Sequence, residues 1–319
     1  MSAGDTLRNA CVCVTGAAGF IGANLCRALL AAGAEVHAIV RPGSSCVRLA
    51  DIAGDIAIHG IDLCDASHVR AAFQQFAPRV TLHAAVHNAY DQDAPLSVVV
   101  DNNVVATANL LDALAALKSA RLIYLGGSTE YGPAANPHNE RHPLNPTTRH
   151  GATKAAATIL VSQQARAGCV DALTLRLFSV YGPWEPKHRL VPRAIHAALF
   201  GTILPLTRPG LRHDYVYVAD VAEACLLASV TPSISGQVIN IGSGIETANE
   251  ELVRIMEQIT RHQLRTQPGT YRPHSTDTEH WAADIRLAKN LLGWSPRYSL
   301  QEGLKQTVDW FAQRQPVAL

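Results

Sequence analysis

The sequence predicts an α/β fold in which a doubly wound parallel sheet is joined to a smaller, partly interleaved C-terminal region. Short apolar, β-branched runs alternate with amphipathic segments through the first half of the chain. A glycine-rich turn follows the first of these runs, and 48% of the 319 residues are hydrophobic, enough to bury a full core. Because parallel strands are joined by helical crossovers, this alternation is typical of a sheet covered on both faces.

The predicted elements follow one another in a regular order up to residue 178. Strands are expected at residues 11–15, 35–40, 55–60, 80–85, 121–127 and 172–178, and helices at 20–32, 66–76, 98–117 and 151–166. Prolines then interrupt the pattern, although 237–242 is typical of one more sheet strand and 249–259 of a helix. We expect residues 1–180, with the strand near 236–242, to form the sheet domain and residues 181–319 to form a second region.

Composition argues against several classes of protein. The 27 Lys and Arg residues nearly balance the 26 Asp and Glu residues, and no basic run interleaves with aromatic residues, so nucleic-acid binding is not expected. No stretch approaches the roughly 18 apolar residues that span a bilayer, and the first ten residues lack the apolar core of a signal peptide. We therefore expect a cytoplasmic protein that does not enter a membrane. The 14 histidines show no metal-ligand spacing, so no metal site is expected.

The glycine-rich turn predicts a dinucleotide site. Gly16 and Gly19 follow the first strand, and Gly22 lies in the helix that opens with Phe20 and Ile21; all five residues are expected at the dinucleotide. Glycines at this spacing permit a tight turn, a close approach of the backbone to a pyrophosphate, and packing of the helix on the strand. The turn therefore favours a Rossmann fold.

The end of the second strand bears on the choice of dinucleotide. It carries no carboxylate for the ribose hydroxyls, whereas Arg41, Ser44 and Ser45 are suited to a 2′-phosphate. This favours NADP over NAD, with a solvated surface residue as the alternative role of Arg41. Asp62 and Leu63, after the third strand, are expected near the adenine, with an N-cap as the alternative role of Asp62.

Ordered motifs across nearly the whole chain carry a family resemblance. They are TGAAGFIG, LHAA, NNVVATANLL, GGSTEYG, HGATK, LRLFSVYGP, HDYVYVADVAEA, INIGSG and ADIRLAKNLLGWSP. With them the chain resembles the extended short-chain dehydrogenase/reductase family, especially its nucleotide-sugar epimerases, dehydratases and reductases. The resemblance implies that Ala84, Ala85, Ser179 and Val180 lie at the dinucleotide and that residues 181–319 bind substrate. It also implies a homodimer through helices around 104–117 and 152–163.

The resemblance further implies a tyrosine that exchanges a proton with substrate and a lysine that binds the nicotinamide ribose. Lys154 matches the lysine, but His150 stands at the tyrosine position. A tyrosine, with a pKa of about 10, must shift by about three units to act as a base near neutral pH, whereas a histidine at about 6.5 needs almost no shift. His150 is therefore expected to be the acid/base. The alternative is a helix-surface histidine in a site that has lost its chemistry.

The loop before Tyr131 departs from the family pattern a second time. The usual serine or threonine position falls on Gly127, so the hydroxyl that binds the reacting oxygen must come from Ser128 or Thr129, or is missing. Dehydratases of the family carry an acid where this chain has Thr129. An epimerase or keto-sugar reductase is therefore favoured over a dehydratase, unless a shortened loop turns Glu130 inward.

Several residues are candidates for the substrate end of the cleft. His87 and Tyr181 are expected near it, as wall or packing residues or as proton carriers, and Arg193 either lines the cleft or lies on a helix surface. The family's diphosphate-binding arginine is replaced by His213, with Arg212 beside it. Arg272 resembles a second such arginine.

The exchange of an arginine for His213 weakens the argument for a diphosphate, because a neutral histidine offers a single donor. The favoured hypothesis is an NAD(P)-dependent enzyme that performs 4-epimerisation or 4-keto reduction of a nucleotide-activated sugar. The alternatives are a sensor that binds NADP without catalysis, a sugar-nucleotide dehydratase, and a reductase of a non-sugar ketone or alcohol.

Overall fold

Seven parallel strands form the central sheet of the computed structural model, which describes residues 3–87, 93–117, 120–134, 137–271 and 278–314. The strands are β1 (Cys11–Thr15), β2 (Glu35–Val40), β3 (Ala57–Gly60), β4 (Val80–His83), β5 (Arg121–Gly127), β6 (Asp171–Leu177) and β10 (Val238–Ile241), in the spatial order β10-β6-β5-β4-β1-β2-β3. All six neighbouring pairs are parallel. The predicted doubly wound sheet is confirmed.

Helices cover both faces of this sheet. The α-helices of the described chain are α1 (Ala3–Leu7), α2 (Phe20–Ala31), α3 (Ala66–Phe76), α4 (Leu96–Val100), α5 (Ala106–Ala115), α6 (Arg149–Arg166), α7 (Leu190–Phe200), α8 (Val218–Val230), α9 (Asn249–Thr260), α10 (Arg286–Leu292) and α11 (Leu300–Gln313). One core lies under α2 and α8, and a second lies under α3, α5 and α6. Sheet strands buried on both faces are nearly continuous apolar runs, which explains why sequence pattern located them.

The predicted helix at 98–117 is interrupted. A π-helical turn, Asp101–Val105, joins α4 to α5, because Ala106 donates its N–H to the carbonyl of Asp101. Such turns add one residue to a helix and are frequent at functional sites. Here the turn places Asn103, which is 2% exposed, beneath the end of β4.

The C-terminal half contributes two small sheets and returns once to the large one. β7 (Ser179–Tyr181), β9 (Arg212–Tyr217) and β11 (Glu246–Ala248) form a three-stranded sheet, and β8 (Leu204–Pro205) pairs with β12 (Thr266–Gln267). β10 pairs with β6, so the strand expected at 237–242 does join the main sheet.

The strand order reverses at β1, whose neighbours are β2 on one side and β4 on the other. Ligands of open α/β sheets bind at the carboxyl ends of strands at such a point, which is where the glycine-rich turn lies. Across the parts of the chain that the structure describes, no helix has the length and apolar character needed to cross a membrane.

Candidate active site

The turn between β1 and α2 is shaped by close backbone contacts. Gly16 has a φ of +65°, and a Cβ on it would lie 2.7 Å from the Cα of Ala85. A Cβ on Gly22 would lie 2.2 Å from the carbonyl oxygen of Gly16. Gly19 is the N-cap of α2 and has no side chain to cap the helix, so main-chain N–H groups of the first helical turn are left for a ligand. The turn thus has the close backbone packing that the three glycines were expected to permit, and their contact with a diphosphate stays a prediction.

The side chains of Phe20 and Ile21 belong to the core under α2 rather than to the turn. Both residues were expected at the cofactor. Their main-chain N–H groups, in the first turn of α2, are therefore the part of them that can contact a diphosphate.

At the adenosine end, the predicted residues lie at the surface. Arg41, Ser44 and Ser45 are exposed after β2, and the Arg41 guanidinium donates to Asn102 Oδ1. Asp62 is also exposed.

The proposed capping role of Asp62 belongs to another residue. Asp65 caps α3 by accepting from the N–H groups of Ser67 and His68, whereas Asp62 accepts from the N–H of Cys64 at 2.9 Å. The side chain of Leu63 is buried, and its carbonyl accepts from Asn109 Nδ2 at 2.9 Å.

His83, which sequence reasoning missed, fastens the carboxyl ends of β1 and β4 together. Its Nδ1 lies 2.6 Å from Thr15 Oγ1 and its Nε2 lies 3.0 Å from Thr107 Oγ1. Burial, followed by the charge of Lys154, lowers the pKa of His83 to about 3, so the ring is neutral. Thr15 Oγ1 also accepts from the N–H of Ala85, which orients the partly buried stretch Ala84–Ala85 beside the glycine turn.

Lys154 lies inside the protein at the end of β5. It is 6% exposed, its Nζ donates to the carbonyl of Leu125, and the ammonium lies 4.6 Å from the centre of the Tyr124 ring. Burial lowers its pKa to about 8, against a smaller upward effect of Glu130. The Lys154 ammonium is therefore held in place by β5 and has little contact with solvent.

His150 lies one helical turn before Lys154, in the first turn of α6. Thr148 caps this helix by accepting from the N–H of Gly151 at 2.9 Å, which fixes where the helix begins. The His150 ring is hydrogen-bonded to the main chain of His87, while its Nδ1 is buried without a partner in the described part of the chain. Burial, then Lys154 and then His87, lower the pKa of His150 to about 4. His150 is thus a neutral, inward-facing residue and not a helix-surface residue.

His87 links this helix to the end of β4. Its N–H donates to Asn103 Oδ1 at 2.7 Å, and Asn103 Nδ2 donates to Thr153 Oγ1 at 2.8 Å. His87 follows Ala85, against which Gly16 packs, by two residues. The glycine turn, His87 and His150 therefore line one edge of the sheet.

The two candidate hydroxyls behave differently. Ser128 Oγ is buried and accepts from Trp281 Nε1 at 3.1 Å. Thr129 Oγ1 has no hydrogen-bond partner among the described residues. A Cβ built on Gly127 would lie 3.6 Å from Thr129 Oγ1 and 3.9 Å from Lys154 Cε. Thr129 therefore borders the space into which a side chain at residue 127 would project.

The orientation of Glu130 toward the cleft, which a shortened loop would produce, is not found. Glu130 is fully buried, and its Oε1 accepts from the N–H of Gly127 at 2.8 Å. Its Oε2 accepts from Arg176 at 2.9 Å. Both oxygens are engaged inside the protein, so the expected place of Glu130 among the reacting groups is corrected to a buried ion pair.

Tyr181 is also corrected. It is 1% exposed, its hydroxyl donates to the carbonyl of Leu300 at 3.3 Å, and its ring packs near Tyr217. It is a core residue of the small sheet and does not reach a cleft. Val180 beside it is buried as well, and Ser179 is partly buried at the start of β7.

The expected cationic residues of the substrate end are spread over different faces. Arg193 donates to the carbonyl of Pro205 and stacks 4.1 Å from the centre of the Tyr271 ring. Arg212 and His213 are consecutive in β9, so their side chains point to opposite faces of that strand. Arg212 therefore cannot simply take the place of His213. Arg272 lies outside the described residues.

Asp214, next in β9, was not singled out by sequence. It is fully buried and accepts from the N–H groups of Ser243, Gly244 and Ala283, which ties three segments of the C-terminal half together. In the part of the chain covered by the structure, three or more His, Cys, Asp or Glu residues do not gather into a group that could hold a metal ion.

Comparison with known proteins gives a consistent result. A UDP-glucose 4-epimerase of Mycolicibacterium smegmatis is 30% identical over 94% of this chain and 98% of its own length. A dTDP-6-deoxy-L-talose 4-dehydrogenase (NAD(P)(+)) of Kitasatospora kifunensis is 31% identical over 95% of each chain. The structure of MoeE5 in complex with UDP-glucuronic acid and NAD superimposes with a TM-score of 0.84, at 28% identity, over 95% of this chain and 99% of that one. The family model described as the NAD dependent epimerase/dehydratase family matches residues 12–242, and the chain belongs to that family.

Proposed function

We propose that this protein is an NAD(P)-dependent enzyme that acts at C4 of a nucleotide-activated sugar, by epimerisation or by reduction of a 4-keto group. The observation that carries the proposal is the placement of His150 and Lys154. Both lie at the sheet edge that also holds the glycine turn, since His150 is hydrogen-bonded to His87 and His87 follows Ala85. The names of the relatives support the substrate class, because they include a UDP-sugar epimerase and a dTDP-sugar 4-dehydrogenase.

The nicotinamide dinucleotide, when bound, supplies the acceptor and donor of hydride. The main-chain N–H groups of Phe20 and Ile21, in the first turn of α2, would hold its diphosphate, and Lys154 would donate to the nicotinamide ribose. Ala85 and Val180 would form part of the wall beside it.

His150 would move the proton of the reacting hydroxyl. Its Nδ1 is the nitrogen without a partner in the described structure, so the lone pair that accepts a proton is on Nδ1. The resulting imidazolium would lie beside the ammonium of Lys154, which makes the charged state unfavourable. The proton would therefore be held briefly and returned, which suits a reaction in which the hydroxyl is first deprotonated and later restored.

Thr129 would bind the reacting oxygen, because its hydroxyl has no other partner in the described part of the chain and borders Gly127. Ser128 is the second candidate: its oxygen accepts from Trp281, and its hydroxyl hydrogen is still available to donate. A dehydratase is disfavoured by the burial of Glu130 in its pair with Arg176.

The choice of dinucleotide follows from the end of β2. Arg41 is exposed there, and the end of this strand carries no carboxylate to bind the ribose hydroxyls. We therefore favour NADP, with NAD as the alternative. The Arg41 contact to Asn102 would have to be shared with, or exchanged for, a 2′-phosphate.

A homodimer is part of the proposal. Leu96, Val98, Val105 and Ile159 leave between 37% and 58% of their surface exposed along α4, the π-helical turn and α6. A second copy packing on these helices would remove that apolar surface from water. We place the protein in the cytoplasm.

The rival hypothesis of a sensor without catalysis draws on the two departures at His150 and Gly127, and a reductase of a non-sugar ketone remains a third candidate. The test is turnover of UDP- and dTDP-linked hexoses and 4-keto-hexoses with each dinucleotide, followed by NMR of the sugar ring. Epimerised or reduced sugar supports the proposal. Dinucleotide binding without turnover of any sugar favours the sensor, and turnover of simple ketones alone favours the third candidate.

A further inference from the structure

Two buried charges hold neighbouring peptide groups at the carboxyl end of β5. The Lys154 ammonium donates to the carbonyl of Leu125, and Glu130 Oε1 accepts from the N–H of Gly127 at 2.8 Å. These carbonyl and N–H groups belong to the two consecutive peptide units that flank Gly126. The Lys154 ammonium and the Glu130 carboxylate therefore bind the same segment, residues 125–127.

Gly126 makes this arrangement possible. A Cβ on it would lie 2.6 Å from Glu130 Oε1 and 2.8 Å from Thr174 Cγ2, both too close for any side chain. Gly127, in contrast, would meet nothing nearer than Thr129 Oγ1 at 3.6 Å. Of the two adjacent glycines, Gly126 is thus the one that must lack a side chain, because the Glu130 carboxylate lies against the strand at this residue.

Arg176 fixes that carboxylate from the next strand. Its Nε and its terminal nitrogen each lie 2.9 Å from Glu130 Oε2, and the guanidinium stacks 4.3 Å from the centre of the Tyr131 ring. Arg176 is 2% exposed and Glu130 is fully buried, so neither side chain can leave the pair for solvent. The negative charge therefore has one position relative to Lys154.

We propose that Glu130, held by Arg176, is a positioning residue for Lys154: its charge keeps the lysine protonated in its buried site and thereby sets the alkaline limit of dinucleotide binding. The proposal rests on the role of Lys154 in the proposed function. It assigns Glu130 to the cofactor lysine rather than to the substrate.

Among the charged groups that act on the Lys154 ammonium, the Glu130 carboxylate is the one that favours its protonated form. His83 from β4, Tyr124 from β5 and His150 from α6 are the other groups that interact with the ammonium, and Arg176 from β6 is paired with Glu130. Burial is the largest influence and lowers the pKa of Lys154 to about 8, while Glu130 raises it. His83 and His150 have lowered pKa values and are neutral above about pH 6.5, so they add no positive charge there.

The test measures the protonation of Lys154 directly, without cofactor. The chain has five lysines, so a full-length protein labelled with ¹³C at lysine Cε gives few NMR signals, and Lys154→Arg assigns the relevant one. We expect a wild-type midpoint near pH 8. Glu130→Gln keeps an acceptor for Gly127 and should lower that midpoint by at least about one pH unit.

Glu130→Gln leaves Arg176 buried without its partner and can fail to fold, so a second variant is needed. The double variant Glu130→Gln/Arg176→Met removes both charges and should lower the midpoint by a smaller amount than Glu130→Gln. The matched control is Glu185→Gln, which removes a carboxylate that is 2% exposed and paired with Arg189, away from Lys154. Its Lys154 midpoint should equal that of wild type.

A midpoint that stays unchanged in the Glu130 variants overturns the proposal, as does an equal shift in Glu185→Gln. NADPH affinity measured across the same pH range then gives the functional consequence, a loss of binding that begins at lower pH in the Glu130 variants. If wild type binds neither dinucleotide, the proposed function fails, whereas the NMR titration still decides whether Glu130 controls Lys154.

Discussion

Thr129 Oγ1 lies beside the open face of Gly127, 3.6 Å from where a Cβ at residue 127 would be. The hydroxyl and the missing side chain therefore share one space, next to Lys154 Cε. Gly127 thus lacks a hydroxyl, and Thr129, two residues later, carries one that has no partner among the described residues; whether it compensates can be tested.

Thr129→Val should lower kcat by about tenfold to a hundredfold on whichever sugar nucleotide is turned over, because a donor to the reacting oxygen is lost while shape is kept. Ser128→Ala is the comparison variant, and we expect it to have the smaller effect because Trp281 holds the Ser128 oxygen in place, whereas Thr129 Oγ1 has no partner in the described structure. Steady-state kinetics check both. Equal losses in the two variants would contradict the assignment of Thr129.

His150→Phe should reduce kcat/KM by about a hundredfold or more, since the proton carrier is removed. His150→Tyr should keep a substantial part of the activity, because tyrosine is the family's residue at this position and Lys154 is in place to lower its pKa. Kinetics of both variants with the same substrate provide the measurement. Unaltered activity in His150→Phe would remove His150 from the mechanism.

Acid should destabilise the protein through its buried histidines. His83 and His138 are 1% and 0% exposed, with pKa values lowered to about 3 and about 4, chiefly by burial. Below about pH 6.5 the unfolded chain binds protons that the folded chain excludes, so stability is lost as the pH falls toward these values. Between about pH 7 and about pH 5 each histidine should cost about 2 kcal/mol. Urea unfolding at both pH values measures the sum.

His138→Phe separates the two contributions. Both ring nitrogens of His138 are buried without a partner in the described structure, so phenylalanine should be tolerated at neutral pH. It should remove about half of the acid sensitivity that His83 and His138 contribute together, while His150, whose pKa is also lowered to about 4, contributes a share of its own. His68→Gln changes an exposed histidine and should leave the sensitivity as it was. If the loss of stability between the two pH values were the same in His138→Phe as in wild type, His138 would not be kept neutral by the fold.

Gly22→Ala should destabilise the protein by about 2 kcal/mol or more and weaken dinucleotide binding, because the added methyl would lie 2.2 Å from the Gly16 carbonyl oxygen. Gly54→Ala is the control, since a methyl there meets no atom within 4 Å. Thermal unfolding and NADPH titration check the pair. A stable, binding-competent Gly22→Ala protein would disprove the tight turn.

Arg41→Ala should raise the Kd for NADPH by about tenfold and leave that for NADH nearly unchanged, since a charge-assisted hydrogen bond is lost only with the 2′-phosphate. Each dinucleotide serves as the control for the other, and fluorescence titration gives both constants. A parallel change in the two values would instead point to a general effect on the loop after β2.

Features fixed by local sequence were predictable, and those fixed by distant partners were not. The strand at Cys11–Thr15 and the glycine turn after it follow from pattern and backbone sterics alone. Glu130 and Tyr181 were misplaced because their partners lie far along the chain, at Arg176 and Leu300. No local sequence pattern indicates that Glu130 forms an ion pair with an arginine 46 residues later.

The site shows the same division. The helical spacing of His150 and Lys154 was enough to put them on one face. Their contacts to His87 and Leu125 required the packed sheet. His83 was visible within the LHAA motif, and its apolar surroundings could have marked it as a buried polar residue that needs partners.

The return of β10 to the edge of the main sheet has a consequence for how this polypeptide can be divided. Asp171–Leu177 would be a bare outer strand without Val238–Ile241, offering unpaired amides and carbonyls to any passing chain. The central sheet is thus completed by a strand that lies about 60 residues further along the chain. A gene fragment that stops near Tyr181 would therefore encode an incompletely folded, aggregation-prone protein rather than an independent domain.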